Sequence, residues 1–540
     1  MRELSRRDLL GRALVGGGAL TVGPALLGVT PRARAAVPAP FEVHLTLGRD
    51  PARGMTVSWS TTAGVPRPRV RYGPASARDL GATQDADTVA VLDRDPRVPV
   101  FLQAETITHH AELDGLAPNT DYVYEILQEG STPVAGTFRT APIGRTGFRF
   151  TAFGDQGTGD ASDTLGAPQG RWIVDQVEQR DPLFHLHLGD LVYASVNPPG
   201  TRNAAWTRFM VNDARSARLR PWMPILGNHE IENGMGPFGY DAYLGRFRLP
   251  DNASITHAGH WYAFTVGSVR VVAVDTEDWS YQKGGDLYLR GYSRGAQLAW
   301  LDRELAGARA SPDIDWVIVL AHHLTVSSAN LNGSDLGLRE QLQPLVDRHG
   351  VDLVLSGHDH NYERTFALRG TDAGTEFKRP AVVDRSLDVV DTTRGTVYLV
   401  LGGGGTKAPT ASYDVDPVAP GEQAPVFYQD ASAAPTGRED VTWSARRDEQ
   451  YPYGFAELEI DPGAHPGGPT ELRVTYFRLV TPTPASPSPR AMPVDSVVLR
   501  RPRSDPPARS HPAEPRPKRR RRRRHHRRHA RHRVRPRFTG

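Results

Sequence analysis

Phe148-Arg149-Phe150-Thr151-Ala152-Phe153, followed at once by Gly154-Asp155-Gln156-Gly157, reads as a short strand running out into a carboxylate flanked by glycines. The apolar run predicts a strand, and the glycines let backbone approach closely around Asp155. The same construction recurs downstream. Leu183 to Leu188 runs into Gly189-Asp190-Leu191-Val192-Tyr193, and a further loop carries Gly227-Asn228-His229-Glu230. Trp316 to Leu320 leads to Ala321-His322-His323, and Val351 to Leu355 leads to Gly357-His358-Asp359-His360-Asn361-Tyr362-Glu363-Arg364. Val269 to Val274 is another apolar strand. Helical spacing separates these runs: Trp172, Ile173 and Val177 share one face, Leu298, Leu301 and Leu305 another, and a helix is predicted over Leu338 to Arg348. Strands alternating with amphipathic helices predict a layered α/β domain, with its polar site where strands run out into loops.

Each of the five loops presents a hard oxygen or an imidazole just beyond a buried strand. One Gly-Asp alone is commonly a turn, and one strand-end His is commonly a core group; five in order carry more. The chain has no cysteine, which excludes disulfides, thiolate zinc sites, iron–sulfur clusters and thiol nucleophiles. Asp, Asn, Tyr and His without thiolate suit two cations bound through oxygen and nitrogen, such as iron, manganese or zinc.

Outward from this core, the 540 residues divide into regions of different character. Residues 36–142 read as all-β: Val43 to Leu47, Met55 to Trp59, Val70 to Tyr72 and Tyr122 to Ile126 are short β-branched or alternating runs. Leu116 to Tyr122 resembles the turn and corner tyrosine of a fibronectin type III sandwich. No titratable cluster is evident there, and a packing or spacer module is expected. Residues 147–500 hold the strands, helices and polar loops just described, and are expected to form a second domain. Residues 1–35 carry Ser5-Arg6-Arg7-Asp8-Leu9-Leu10, a Gly-rich apolar run from Ala13 to Val29, and Ala33-Arg34-Ala35 ahead of Ala36. That resembles a twin-arginine signal peptide, which implies an exported protein, secreted, periplasmic or associated with the cell wall. Residues 501–540 hold 17 Lys and Arg against two acidic residues, including the run Lys518 to Arg524, and are expected to be a disordered basic tail. The formal charge of +4 therefore conceals an acidic body, 42 basic against 57 acidic residues between 36 and 500. Specific nucleic-acid binding by the folded part is not expected, whereas the tail can contact anionic wall polymers or membrane surfaces.

The ordered set GDxG, GDxxY, GNHE, xxxH and GHxH resembles that of the calcineurin-like metallophosphoesterase superfamily, and Tyr193 resembles its purple acid phosphatase branch. The resemblance covers nearly the whole mature chain and implies a multidomain α+β protein: a fibronectin III-like β-sandwich, then a layered αββα metallophosphoesterase domain. It implies that Asp155, Tyr193 and His360 hold a first metal, normally Fe(III), and that Asn228, His322 and His358 hold a second, divalent Fe, Zn or Mn, with Asp190 bridging. The implied activity is an exported acid phosphatase acting on small phosphate monoesters by attack of a metal-bound hydroxide, with His229 stabilising charge or protonating the leaving oxygen. A phosphodiesterase or nucleotidase is the alternative, and an inactive binding protein on the same scaffold is disfavoured by the complete residue set. Two features depart from the pattern or leave it open. Leu331 and Asn332 stand where relatives often place further histidines, and His323 beside His322 leaves a one-residue ambiguity in which His322 is favoured.

Other features are read more plainly. Gly402-Gly403-Gly404-Gly405-Thr406-Lys407 lacks phosphate-loop spacing and is expected to make a tight turn bordering the cleft. His185 and His187 alternate with leucine, which suits a core or supporting role. Residues 406–450 are expected to be a long loop or insertion, and Phe455 to Ile460, Leu472 to Phe477 and Ser496 to Leu499 are expected to return as strands that close the domain.

Overall fold

Two four-stranded antiparallel sheets form the N-terminal part, one from Phe41–Leu47, Met55–Thr61, Glu105–Leu113 and Asp87–Leu92, the other from Ala82–Asp85, Arg69–Pro74, Asp121–Leu127 and Val134–Arg139. The computed structural model describes residues 37–93, 105–198, 200–282, 285–330, 332–406, 423–429, 436–448, 453–484 and 486–506. The expected signal peptide, Leu331 and the chain beyond residue 506 lie outside the described residues. Alternating side chains such as Tyr122, Tyr124 and Ile126 fill the space between the two sheets, as the two-residue period requires. The corner tyrosine behaves as expected, since the Tyr122 hydroxyl accepts the Ala117 N–H at 2.8 Å.

The catalytic part is built on two seven-stranded sheets packed face to face. One runs Trp222–Pro224, His185–His187, Phe148–Phe153, Gly454–Asp461, Pro469–Val480, Arg490–Pro502 and Val389–Asp391. The other runs Tyr262–Val266, Val269–Ala273, Trp316–Ala321, Leu353–Ser356, Val397–Leu401, Tyr362–Thr365 and Ser444–Arg447. Phe150, Ala152 and Leu186 from the first meet Val271, Ile318, Leu355 and Leu399 from the second in one buried cluster. Helices cover the outer faces. Pro168–Glu178 packs Ile173, Val174 and Val177 onto the first sheet, and Ala296–Ala310 packs Leu301 and Leu305 onto the second. This is the αββα arrangement the sequence implied. Parallel pairing of His185–His187 with both neighbours, and of Trp316–Ala321 with Val269–Ala273 and Leu353–Ser356, sends the motif-bearing carboxyl ends out along shared edges. No helix among the described residues is long and apolar enough to cross a membrane.

Four expectations need correction. The stretch 406–450 is not simply a loop, because Gln423–Phe427 pairs with Thr436–Asp440 on one side and Ser334–Asp335 on the other in a small sheet, and Ser444–Arg447 extends the second large one. The helix expected over Leu338 to Arg348 is two, Leu336–Gln341 and Gln343–His349; Pro344 lacks an N–H and crowds the carbonyl four residues earlier. The fold does not end at residue 500. Thr470 pairs with Arg501 and Pro469 with Pro502, Arg501 sits 2.7 Å from the buried Asp352 carboxylate, and Ser504 N–H donates to Asp315 at 2.7 Å. Arg500, Arg501 and Arg503 made the end of that strand resemble the basic tail in sequence.

The N-terminal module is also more than a spacer. Buried Glu42, His44 and His110 gather on its face toward the catalytic part, although they are scattered in sequence, and His110 Nε2 meets the Gly245 carbonyl at 3.2 Å. The Glu42 carboxylate accepts Thr207 Oγ1–H at 2.7 Å, His44 Nε2 meets the Arg246 carbonyl at 2.9 Å, and Tyr124 donates to the Arg218 carbonyl at 2.8 Å. Burying these groups is tolerable because each has a partner across the seam.

Candidate metal centre

Three loops in the centre hold four non-glycine residues in the left-handed region: Asp155 at φ 61°, Asp190 at 51°, Tyr193 at 58° and His358 at 68°. Each is one of the expected ligands. Side chains in this region cost of order 1–3 kcal/mol each unless the surroundings compel them. The surroundings here do so. A Cβ at Gly227 would collide with the Asp190 carboxylate, and one at Gly357 would press on Asp155 Oδ2, so glycine lets the Asn228 loop close on the Asp190 loop and the His358 loop close on the Asp155 loop.

The ligand atoms fall into two groups. In the first, Tyr193 Oη lies 3.1 Å from Asp155 Oδ1 and 2.8 Å from His360 Nε2, which is itself 3.5 Å from Asp155 Oδ1. In the second, Asn228 Oδ1 lies 3.0 Å from His322 Nε2 and 3.1 Å from His358 Nδ1, and His322 Nε2 is 3.3 Å from Asp190 Oδ2. Ligand atoms of Asp190, His322 and His358 all lie within 4.8 Å of one another. The seven residues expected as ligands are therefore brought together in two groups, with Asp190 beside His322 in the second. His323 turns away, its Nδ1 2.9 Å from Thr276 Oγ1 and its Nε2 3.4 Å from Glu277 Oε1. His322 is the histidine that faces the centre, because its Nδ1 is engaged by the Leu188 carbonyl at 2.8 Å.

Electrostatics fit a cation site. Burial disfavours a charged His322, yet the adjacent Asp190 carboxylate overrides it and pushes the imidazole up to about 10. Burial likewise opposes the Asp190 charge, but His322 and then His229 hold that carboxyl well below the usual range. The buried Asp190 carboxylate thus favours positive charge beside His322. Burial pushes the Asp155 carboxyl up against the pull of His360, and burial with Asp155 and Asp190 nearby drives the Tyr193 phenol well above its ordinary value. His358 is held well below the ordinary imidazole value by burial and by His323 and His322. A neutral imidazole, an amide oxygen, a carboxylate and a phenol converging in one buried place are the donor set of a hard-cation site.

Sequence reasoning gave no role to three residues that shape the centre. Glu230, fully buried, accepts N–H bonds from Asp190, Leu191 and Gly227, each at 2.8 Å, and so ties two ligand loops together. Ser195 Oγ lies 2.9 Å from His229 Nδ1, and Gln282 Oε1 lies 2.9 Å from His358 Nε2. Glu230 stood within a quoted motif; Gln282 lies on a loop with no motif and had no sequence signal. The Gly402–Gly405 run borders the centre as expected, with Gly404 N–H donating to the Gly154 carbonyl at 2.8 Å. His185 and His187 are core residues on their strand.

The sequence matches the family described as calcineurin-like phosphoesterase over residues 149–362, and that described as purple acid phosphatase, N-terminal domain, over residues 40–140. An uncharacterized protein of Mycobacterium tuberculosis strain H37Rv is 42% identical over 511 residues, covering 89% of this chain and 94% of its own. Purple acid phosphatase 21 of Arabidopsis thaliana is 30% identical over 264 residues, 47% of this chain and 53% of its own. The structure of a purple acid phosphatase from yellow lupin seeds covers 86% of this chain and 74% of its own, with a TM-score of 0.60 at 21% identity, a likeness of fold. The family builds a binuclear metal centre, and the donor set described above suits one. The chain belongs to the calcineurin-like phosphoesterases, in their purple acid phosphatase branch.

Proposed function

We propose that the chain is an exported acid phosphatase hydrolysing small phosphate monoesters. In this reading Asp155, Tyr193 and His360 hold Fe(III), Asn228, His322 and His358 hold a divalent Fe, Zn or Mn, and Asp190 serves both. The observation that carries it is the convergence of those donors from five loops in two groups. Two bound cations would polarise a water and neutralise phosphoryl oxygens.

The chain's own contribution to turnover centres on His229. Its ring is half-buried beside Tyr193, with centroids 4.6 Å apart, and its backbone N–H donates to Asp190 Oδ1 at 2.8 Å. Burial holds the imidazole below its ordinary value, favouring the neutral ring. Ser195 Oγ lies 2.9 Å from Nδ1, and if its hydroxyl donates there the ring proton sits on Nε2, where it can be given to a phosphoryl or leaving oxygen. Asn332, at the position where histidines were expected, donates from Nδ2 to the His358 carbonyl at 3.2 Å and so braces the ligand loop.

The test combines elemental analysis of the purified protein with turnover of an aryl phosphate monoester and the matching diester. Two transition-metal ions per chain and a preference for the monoester support the reading; a preference for the diester moves it to phosphodiesterase. An oxidised, iron-loaded protein is expected to be coloured through the Tyr193 phenolate, and Tyr193→Phe to lose the band. Neither metal nor turnover in pure protein would refute it. Export is tested by Arg6→Lys with Arg7→Lys, which should leave a precursor inside the cell; normal export of that variant would remove the twin-arginine assignment.

A further inference from the structure

We infer that Gln282 is a positioning residue for the metal centre: its side-chain carbonyl fixes the proton of His358 on Nε2 and thereby turns the Nδ1 lone pair toward Asn228 and the metal. The inference rests on the binuclear-centre reading and adds to it a residue outside every motif.

The geometry carries it. His358 Nε2 lies 2.9 Å from Gln282 Oε1, while His358 Nδ1 lies 3.1 Å from Asn228 Oδ1. A neutral imidazole has one N–H and one lone pair. If Gln282 accepts from Nε2–H, the Nδ1 lone pair faces the Asn228 oxygen, two acceptors aimed at each other. A cation between them turns that repulsion into two ligand bonds. The opposite tautomer would put an N–H into the ligand group and block it. A ligating histidine whose other nitrogen is held by an oxygen acceptor is the usual means of fixing ring orientation and tautomer.

Gln282 is itself held in place. It is 94% buried, and its backbone N–H meets Ser280 Oγ at 3.0 Å and Asp335 Oδ2 at 3.3 Å. Asp335 also accepts from Ser280 Oγ–H at 2.8 Å and from the Tyr281 and Gly337 N–H groups at 3.0 and 2.8 Å. One buried carboxylate thus pins the loop Ser280–Gln282 to the start of helix Leu336–Gln341, and that loop supplies the acceptor for His358. The Gln282 Nε2 group finds no hydrogen-bond partner among the described residues, so the contact to His358 is what fixes the amide.

The experiment measures Mn(II) binding to full-length metal-stripped protein by competition with a chromophoric chelator, for wild type, Gln282→Met and Gln282→Glu, with circular dichroism as the folding control. Met fills similar volume without an acceptor; Glu is an acceptor only. Wild type should take two ions. Gln282→Met should weaken one of them by about 10- to 100-fold, the usual cost of losing such a support, and leave the other unchanged. Gln282→Glu should restore wild-type affinity. A folded Met variant that holds both ions as wild type does overturns the inference, as does a folded Glu variant as weak as Met, which would mean that Gln282 donates rather than accepts. Wild type that binds no Mn(II) overturns the centre itself and Gln282 with it, an outcome distinct from a failure confined to the variants.

Discussion

Glu230 ties the Asp190 loop to the Asn228 loop, and its replacement separates that bracing from metal ligation, since Glu230 is not a ligand. Its carboxylate accepts three N–H bonds: Asp190 and Gly227 on Oε2 and Leu191 on Oε1, all at 2.8 Å. Glu230→Gln keeps the shape. Its amide oxygen can serve two of the three donors, while its NH2 must face the third, donor against donor. Replacing two charge-assisted bonds by neutral ones costs about 1 kcal/mol each, and the unsatisfied N–H adds about 1–3 kcal/mol. Burial and the Asp190 charge push the Glu230 carboxyl up, so removing its charge returns part of that. The expected net loss is about 2 kcal/mol for Gln, and about 4 kcal/mol for Glu230→Ala, which strands all three N–H groups. Urea unfolding at matched metal, with an unchanged slope, measures the difference, and chelator competition measures the accompanying loss of metal. If the Ala variant unfolded within 0.5 kcal/mol of wild type, by the roughly ±0.5 kcal/mol standard for neutral substitutions, and kept both ions, the loops must be positioned by something else.

Asp190→Asn removes a negative charge from the centre and should lower metal content as well as rate, whereas His229→Ala should keep both ions and lose about 10²- to 10⁴-fold in rate; metal content and turnover of the two variants check this division. Asp213 is buried with its carboxyl pushed up to about 8 by desolvation, so its contribution to stability is complete below the unfolded value near 3.8 and is lost as pH rises toward 8. Asp213→Asn, which can still accept from Gln156 Nε2, should remove that slope of about 1.4 kcal/mol per pH unit and gain on wild type between pH 5 and 7; parallel urea midpoints at the two pH values would contradict it. Deleting residues 507–540, which carry 15 Lys and Arg against one acidic residue, should leave turnover intact and reduce salt-sensitive adsorption to anionic vesicles. Deleting from residue 501 should also lower the unfolding midpoint, because Asp352 loses Arg501 and the last strand loses its final pairs; equal midpoints for the two truncations would refute that role.

What the sequence shows clearly are features whose signal is local. The Phe148–Phe153 strand and the helix faces at Ile173 and Val177 and at Leu301 and Leu305 announce themselves through periodicity, and Asp155, Asp190, Asn228 and His358 each follow a glycine, whereas Tyr193, His322 and His360 are legible only through the likeness of the motif order to the phosphoesterases. The His322 and His323 ambiguity yields only to the Leu188 carbonyl, which is 134 residues away. The acceptor on His358 is 76 residues away on a loop without pattern, and the seam of Glu42, His44 and His110 is made of residues whose partners lie in another module. The strands between 423 and 447 are short, and they satisfy their edges against segments of the catalytic sheet and Ser334–Asp335. Non-local pairing leaves no trace in a window of ten residues.

Strand Gly454–Asp461 lies against Phe148–Phe153, Ala456 opposite Ala152, and so fills the middle of the sheet whose other half carries Asp155, Asp190 and Asn228. During synthesis the earlier strand therefore waits for a partner made about 300 residues later, a delay of roughly 15–60 s at 5–20 residues per second. Through that interval an apolar strand edge stands open, a template for misassociation that calls for a chaperone. Completion of the first sheet, and with it of the loops that follow Phe153, His187 and Pro224, is correspondingly a late event.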